Sequence, residues 1–396
     1  MTRITILGSG FAALTAIREL RRQNVDAEIT VVSPRDSLVY LPSLIWMPAK
    51  MRDAGEITVP LAGFFAKNGV EWHPGVVEAV EEGGRRVRTT TGIVENDYLV
   101  VATGGRFIRK LPGIENAIIP CEGTASGEAI RDRLATLDGG TIAIGFSTNP
   151  NEPGAVRGGP MFEFLFGIDT LLRRQGRREK FKLVFFNPSK QPGQRLGARA
   201  VGNLLKQMAK RGIETHLGHK PVRFDADAVV TEGGTIPADM ILFMPGLTGP
   251  AWLDASDLPR SPGGFLQADE KCRVSGLERV YVSGDAGSYP GPDWLAKQAH
   301  QADLQSAAIA RNIAAELAGR EPSATFKPEL VCIVDTLDAG MLVYRSQLIN
   351  FVLPRLKLFH WMKRAFERHY LKAYRVPVGK AVPSKRSEDG TRKRAA

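Results

Sequence analysis

A chain of 396 residues, 43% of them hydrophobic, can bury a large core, and its length suits two domains or slightly more. A formal net charge of +11 points at first to nucleic acid, but from Leu348 onward 13 Lys and Arg face 3 Asp and Glu, which leaves the preceding body almost neutral. Three cysteines, Cys121, Cys272 and Cys332, form no CxxC pair and no metal-ligand spacing with the six histidines, so neither a disulfide framework nor a metal site is expected.

Arg3 to Leu7 reads as a short apolar strand, Phe11 to Arg22 as a helix and Ala27 to Val32 as a second strand, a βαβ unit. A strand beginning by Arg3 leaves no apolar region and cleavage site of a signal peptide, which gives the expectation of a reducing cytoplasm. Between strand and helix, Gly8-Ser9-Gly10-Phe11-Ala12-Ala13 fits GxGxxA. Gly8 permits the tight turn, Gly10 lets a pyrophosphate approach backbone N–H groups at the helix N-terminus, and Ala13 allows close packing of helix on strand. Such a turn suits FAD and NAD alike. The second strand ends not in the usual acid but in Ser33-Pro34-Arg35, so Ser33 and Arg35 are candidates for the ribose, a turn-forming Ser-Pro being the alternative.

Extended segments follow near Val70 to Val80, where Val77 is a further cofactor candidate, then at Arg86 to Thr90 and Tyr98 to Ala102. The last runs into Thr103-Gly104, a strand-end turn expected beside the cofactor. A second βαβ run opens at Thr141 to Phe146 and ends at Leu183 to Asn187, but its first turn lacks GxGxxG and its second strand ends at Asn187, which removes the phosphate cradle a nicotinamide nucleotide needs. The chain returns near Met244. There Val280-Tyr281-Val282-Ser283-Gly284-Asp285 forms a strand and a Gly-Asp turn, whose Asp285 can hold a ribityl chain. A long helix is expected from about Trp294 to Leu317. From Leu348 to Arg375, Leu358, Phe359, Met362, Phe366, Tyr370 and Tyr374 recur near helical spacing, with Lys357, Arg364, Arg368, Lys372 and Arg375 toward the other face. That pattern describes a helix lying on an anionic membrane surface, with a homodimer or core-packing helix as the alternative, while nucleic acid is disfavoured because no recognition fold surrounds the basic residues. No stretch reaches the roughly eighteen apolar residues of a membrane span.

The fold class expected is therefore α/β, with two Rossmann-like dinucleotide-binding domains, one inserted in the other, and a C-terminal amphipathic helical segment. Residues 1–105 and 245–347 form the FAD-binding domain, 106–244 the second domain, 348–375 the membrane-association segment and 376–396 a disordered basic tail.

The order of these motifs resembles the sulfide:quinone oxidoreductase and flavocytochrome c sulfide dehydrogenase family. Further likenesses are Ser33 through Trp46, Gly159-Pro160-Met161-Phe162-Glu163-Phe164, Cys332-Ile333-Val334-Asp335 and His360-Trp361-Met362-Lys363-Arg364-Ala365-Phe366-Glu367. The resemblance implies a flavoprotein at the cytoplasmic side of the cell membrane that passes two electrons from sulfide or a related sulfur species through FAD to a quinone. It implies Lys297 beside the flavin pyrimidine and Cys121 as a nucleophile or an inert buried thiol. The chain departs from the pattern in two places: Arg157 falls near a family cysteine, and no cysteine occurs from Ser288 to Leu304, so a two-thiol relay and a thioether are both in question. Cys272 and Cys332 are expected to be structural. His300 is a candidate proton shuttle, and Glu163 either a desolvated proton carrier or a helix-start cap. A type II NADH:quinone dehydrogenase, or a flavin-bound sensor or assembly partner without turnover, are the other functions compatible with this pattern.

Overall fold

The computed structural model describes residues 1–379. In chain order, β1 (Arg3–Leu7), α1 (Phe11–Arg22), β2 (Glu28–Ser33), β3 (Val70–Pro74) and β4 (Tyr98–Val101) come first. Next are β5 (Gly140–Phe146), α2 (Gly159–Arg174), β6 (Phe181–Asn187), β7 (Glu214–Leu217) and β8 (Met240–Met244). The chain closes with β9 (Val280–Val282), α3 (Ala299–Leu317), β10 (Glu329–Asp335), β11 (Gly340–Ser346), β12 (Asn350–Leu356) and α4 (Lys357–Lys372).

Two parallel sheets organise these elements. The first has the order β9-β4-β1-β2-β3, the second β7-β6-β5-β8. Apart from the edge strands β3 and β7 their strands are largely apolar because both faces are covered, and Leu99, Val100 and Val101 of β4 are fully buried. The first sheet takes its edge strand β9 from far downstream, with Val280 opposite Leu99 and Val282 opposite Val101. The chain thus leaves the first sheet after β4, builds the second and returns.

Small residues set the spacing of helix on helix. α1 packs along α3, and Ala13 and Ala16 of α1 and Ala308 and Ala310 of α3 have no exposed surface. The long helix starts at Ala299, not near Trp294 as expected from sequence. Pro290 and Pro292 hold the preceding segment in a turn closed by a bond from Leu295 N to the Pro292 carbonyl, 2.8 Å.

The C-terminal segment also differs from expectation. Residues 348–375 are not one helix: β12 pairs antiparallel with β11, Phe351 opposite Tyr344 and Leu353 opposite Leu342, before α4 begins. Phe351-Val352-Leu353 is a short run of consecutive apolar residues that fits a strand as readily as a helix, and the longer helical recurrence beyond it hides the strand in sequence. Phe359 and Tyr374, placed by sequence on a membrane face, are buried, whereas Leu358, Trp361, Met362 and Phe366 are exposed. The basic tail expected from residue 376 lies, from residue 380 on, outside the described residues.

One buried ion pair clamps α4 to the first domain. Glu367, 2% exposed, meets Arg52 Nη2 at 2.5 Å and accepts from Ser43 Oγ at 2.6 Å. Removing the carboxylate strands Arg52 without its partner, which costs about 3 kcal/mol. Glu367→Ala should lower stability by about that amount in urea unfolding of the flavin-loaded chain and expose α4 to early proteolysis, whereas a loss below about 1 kcal/mol would mean that the clamp is solvated.

Candidate active site

A cleft of about 2760 Å³ runs between the carboxyl ends of the two sheets and on toward β10 and α4. The glycine turn forms one end. Gly8 has a φ of +109°, and a Cβ there would lie 2.4 Å from the Ala102 carbonyl oxygen, so conformation and space both demand glycine. Nothing lies within 4 Å of a Cβ built on Gly10. No side chain caps α1, so its first N–H groups and its dipole face the cleft.

The downstream turn meets the first one from across the sheet. A Cβ on Gly284, φ +71°, would contact Ala302 at 3.3 Å and Ala12 at 3.5 Å. Asp285 is buried at the cleft and ion-paired to Arg157. Burial opposes its charge, but Arg157 and Lys297 overcome that and hold the carboxyl below the usual range. Lys297 precedes α3 and is not in it: its Nζ donates to the Gly287 carbonyl at 2.7 Å and lies 3.8 Å from the Phe265 ring centre. Burial pulls its pKa down to about 8.

At the end of β2 the two ribose candidates separate. Ser33 Oγ donates to the Arg35 carbonyl at 2.8 Å and accepts from Trp72 Nε1 at 3.1 Å, so its one proton serves the turn and a ribose hydroxyl would have to donate to its remaining lone pair. Arg35 is exposed at the rim. Val77, buried, lines the cleft nearby, as do Thr103 and Gly104, with Thr103 Oγ1 accepting from Trp252 Nε1 at 3.2 Å. Gly104 has a φ of +73°, which turns the chain off β4.

Toward α4 the cleft changes character. Glu163 is not a helix cap: it is 6% exposed, is ion-paired to Lys363 and accepts from the Asp335 backbone N–H at 2.9 Å. Burial among apolar neighbours raises its pKa, with Lys363 opposing. Asp335 in turn bonds His360 Nδ1 at 2.7 Å. His300, which sequence offered as a proton shuttle, is engaged with Glu329 Oε2 at 3.1 Å.

The thiols divide unexpectedly. Cys121 and Cys332 both border the cleft, while Cys272 is buried away from it. Cys332, expected to be structural, thus lies at the cleft wall, and only its place in the Cys-Ile-Val-Asp run hinted at that position. Burial pushes the Cys121 thiol up to about 11 and Cys332 to about 12, so both hold their protons at neutral pH. Sequence reasoning also passed over Asp303, which accepts from Thr15 Oγ1 at 2.6 Å and Tyr370 Oη at 3.2 Å. Lys363, His360 and Asp335 stood inside recognised segments, but only the fold brings them to Glu163.

The second sheet has no equivalent of the first glycine turn. Residues 147–158 separate β5 from α2, and the buried Asn149 donates to the carbonyls of Leu247 and Gly263, both at 2.9 Å, folding that loop across the strand ends. Pro160 sits in the first turn of α2, where it removes one of the N–H groups a phosphate would use.

A model of the pyridine nucleotide-disulphide oxidoreductases matches residues 2–311. The chain belongs to that family. A sulfide-quinone reductase of Aquifex aeolicus is 24% identical over 96% of this chain and 92% of its own length. The crystal structure of the sulfide:quinone oxidoreductase from that bacterium superposes with a TM-score of 0.85 at 22% identity, covering 95% of this chain and 92% of the other. A demethylphylloquinone reductase of Synechocystis is 24% identical over 80% of each chain, and an NADH dehydrogenase-like protein of Mycobacterium tuberculosis is 24% identical over 73% of each.

The protein is accordingly an FAD-dependent oxidoreductase of this family. The residues of the cleft fit the cofactor: the uncapped start of α1 behind Gly8 and Gly10 would hold a diphosphate, Asp285 would offer its carboxylate to the ribityl chain, and Lys297 would supply a cation to a reduced ring.

The two glycines should respond differently. Gly10→Ala has room in the fold and should change stability by no more than about 0.5 kcal/mol while lowering the flavin absorbance per protein. Gly8→Ala should lose both flavin and stability, and equal behaviour of the two variants would refute this division of labour. Asp303 offers a pH test. Burial raises it to about 6 from 3.8, so the folded chain binds this proton more tightly than the unfolded one, and stability is lost as pH rises from about 4 through 6. Asp303→Asn should match the native chain near pH 4 and exceed it by up to about 3 kcal/mol near pH 7 in urea unfolding. An advantage independent of pH would show that the carboxyl is not held protonated.

Proposed function

We propose that the protein passes two electrons from a small sulfur donor through FAD to a membrane quinone, working at the membrane surface. The observation that carries this reading is the wall beside α4, where Ile333, Leu342, Met362 and Phe366 line the same cleft as the Glu163–Lys363 pair. A quinone gains two protons with its two electrons, so it calls for an apolar slot with a proton carrier in it. Bound FAD supplies the two-electron carrier between donor and acceptor. Glu163, with its raised pKa, can hold a proton in the slot, and Lys363 keeps a positive charge beside the oxygen that receives it.

Met362 and Phe366 border the cleft and are also exposed, so the slot opens on the surface that displays Leu358 and Trp361. Lys357, Arg368 and Lys372 are exposed on the same helix. Aromatic and apolar residues flanked by cations suit the headgroup layer of an anionic bilayer. Among the described residues no helix is long and apolar enough to cross a membrane. Relatives named for sulfide-quinone and demethylphylloquinone reductase support the acceptor.

NADH is the other donor to weigh, since a relative named NADH dehydrogenase-like shares the fold. The loop of residues 147–158 and Pro160 argue against a phosphate cradle on the second sheet. Cys121 and Cys332 border the same cleft but are held as protonated thiols, so the sulfur donor is supported by the relative named sulfide-quinone reductase and not by an activated thiolate.

Under anaerobic conditions sulfide should bleach the flavin of the purified protein and decylubiquinone restore it, while millimolar NADH leaves it oxidised. Bleaching by NADH alone would replace this reading with a type II NADH dehydrogenase. Glu163→Gln should slow flavin reoxidation by decylubiquinone by about a hundredfold in stopped flow, with little change in the rate of bleaching by sulfide.

A further inference from the structure

Near Asp285 the cleft collects more positive charge than a carboxylate partner requires. Lys297 lies in the field of four charged neighbours, Asp285, Glu152, Arg195 and Arg157. Three cations thus face two carboxylates, one of which, Glu152, is also held by Ser261 Oγ at 2.6 Å. All five border the cleft.

Arg195 is the least satisfied of them. It follows β6, at the end of the second sheet where a Rossmann domain presents its ligand. Its guanidinium lies against the loop of residues 147–158, with Nη2 at 3.3 Å from a Cβ built on Gly154. That Nη2 is buried and has no acceptor among the described residues. Its carbonyl is pinned by Arg345 Nη1 at 3.1 Å, which fixes the backbone that carries it. A buried guanidinium N–H without an acceptor is costly, and the charge is lowered in pKa to about 10 by burial without being neutralised. Arg157, which borders the same cleft and like Arg195 acts on Asp285, spends one nitrogen on that carboxylate and stacks 5.9 Å from the Phe107 ring centre, which leaves other N–H groups of its fork.

We propose that Arg195 and Arg157 form a binding site for a small anion at the carboxyl end of the second sheet, and that the electron donor enters as an anion bound there. The proposal rests on the reading of the cleft as a flavin site served by a small donor, and it adds the charge of that donor. Where a nucleotide-binding relative of this fold has a glycine turn for a diphosphate, this chain offers two planar guanidinium groups, which suit an oxyanion or a sulfur anion.

The test uses the full-length, FAD-loaded, oxidised protein and sodium thiosulfate as probe, with ionic strength held constant by sodium chloride. A saturable change in the flavin spectrum is expected. Arg195→Gln should weaken the apparent Kd by about tenfold or more, and Arg195→Lys, which keeps the charge but not the fork, should fall between. Flavin content and far-ultraviolet circular dichroism of each variant establish that it has folded. Should Arg195→Gln fail to fold, the same comparison with Arg195→Lys decides, since loss of the fork alone must still weaken binding. A response no larger than that to sodium chloride, or a Kd the same in every folded variant, would overturn the proposal. Neither result involves quinone: reoxidation of dithionite-reduced protein by decylubiquinone judges the acceptor reading separately.

Discussion

Two turns nearly three hundred residues apart must close on each other for this cleft to exist, and a hydroxyl pair does it. Ser306 of α3 donates to the Ala12 carbonyl at 2.8 Å and lies 2.8 Å from Ser283 Oγ, just before the Gly-Asp turn. Both hydroxyls are fully buried, where an unpaired polar group would be costly and a paired one is held in a single geometry. The hydroxyl bridge fits only because Ala12, Gly284 and Ala302 leave no bulk between α1 and α3. Small residues at that junction bring Asp285 to the same cleft as the open N-terminus of α1. A ligand of the first sheet would thus be held by two segments nearly three hundred residues apart.

The second sheet repeats the architecture without that constraint, and its chemistry has drifted accordingly. A Cβ on Gly145 would meet the Phe186 ring at 2.6 Å, so the glycine there serves packing of strand against side chain and not the approach of a phosphate. Phe146, Phe162 and Phe185 pack with ring centres 5.4 to 6.0 Å apart beneath the strand ends. Aromatic packing fills space that a nucleotide fold keeps for its ligand, and Arg157 and Arg195 are the cations that border the cleft beside it.

Sequence revealed what depends on local backbone. The GxGxxA turn, the Gly-Asp turn and the missing glycines after β5 are each readable because a turn's conformation is decided within a few residues. It did not reveal what depends on distant pairing. Ser33 looked free to meet a ribose, and only the approach of Trp72 and the folding back of Arg35 engage it. Glu163 was visible as a carboxylate among phenylalanines, yet its partner Lys363 comes from a helix two hundred residues on. Residues 348–375 misled for another reason: a short apolar run of no distinctive period passes directly into a helical one, and the helical period dominates a window that covers both.

The same segment carries the strongest argument about where the molecule works. A surface helix normally satisfies itself with one apolar stripe against the core and a polar face to water. α4 already spends Phe359 and Leu371 on the core, followed by Tyr374 just beyond its end, and it is clamped there by Glu367 to Arg52. Leu358, Trp361 and Phe366 are nonetheless 56 to 60% exposed on its other side, and Ile349 is 53% exposed just before β12. Rotating the helix to hide them would pull the inward set out and break the buried ion pair, so the fold offers no internal remedy. Apolar surface of that kind, bordered by Lys357, Arg368 and Lys372, suits cover by a second apolar surface, which under the function proposed above would be the bilayer. Because Met362 and Phe366 belong at once to that surface and to the cleft, the medium that covers α4 is also the one from which an apolar electron acceptor would reach Glu163.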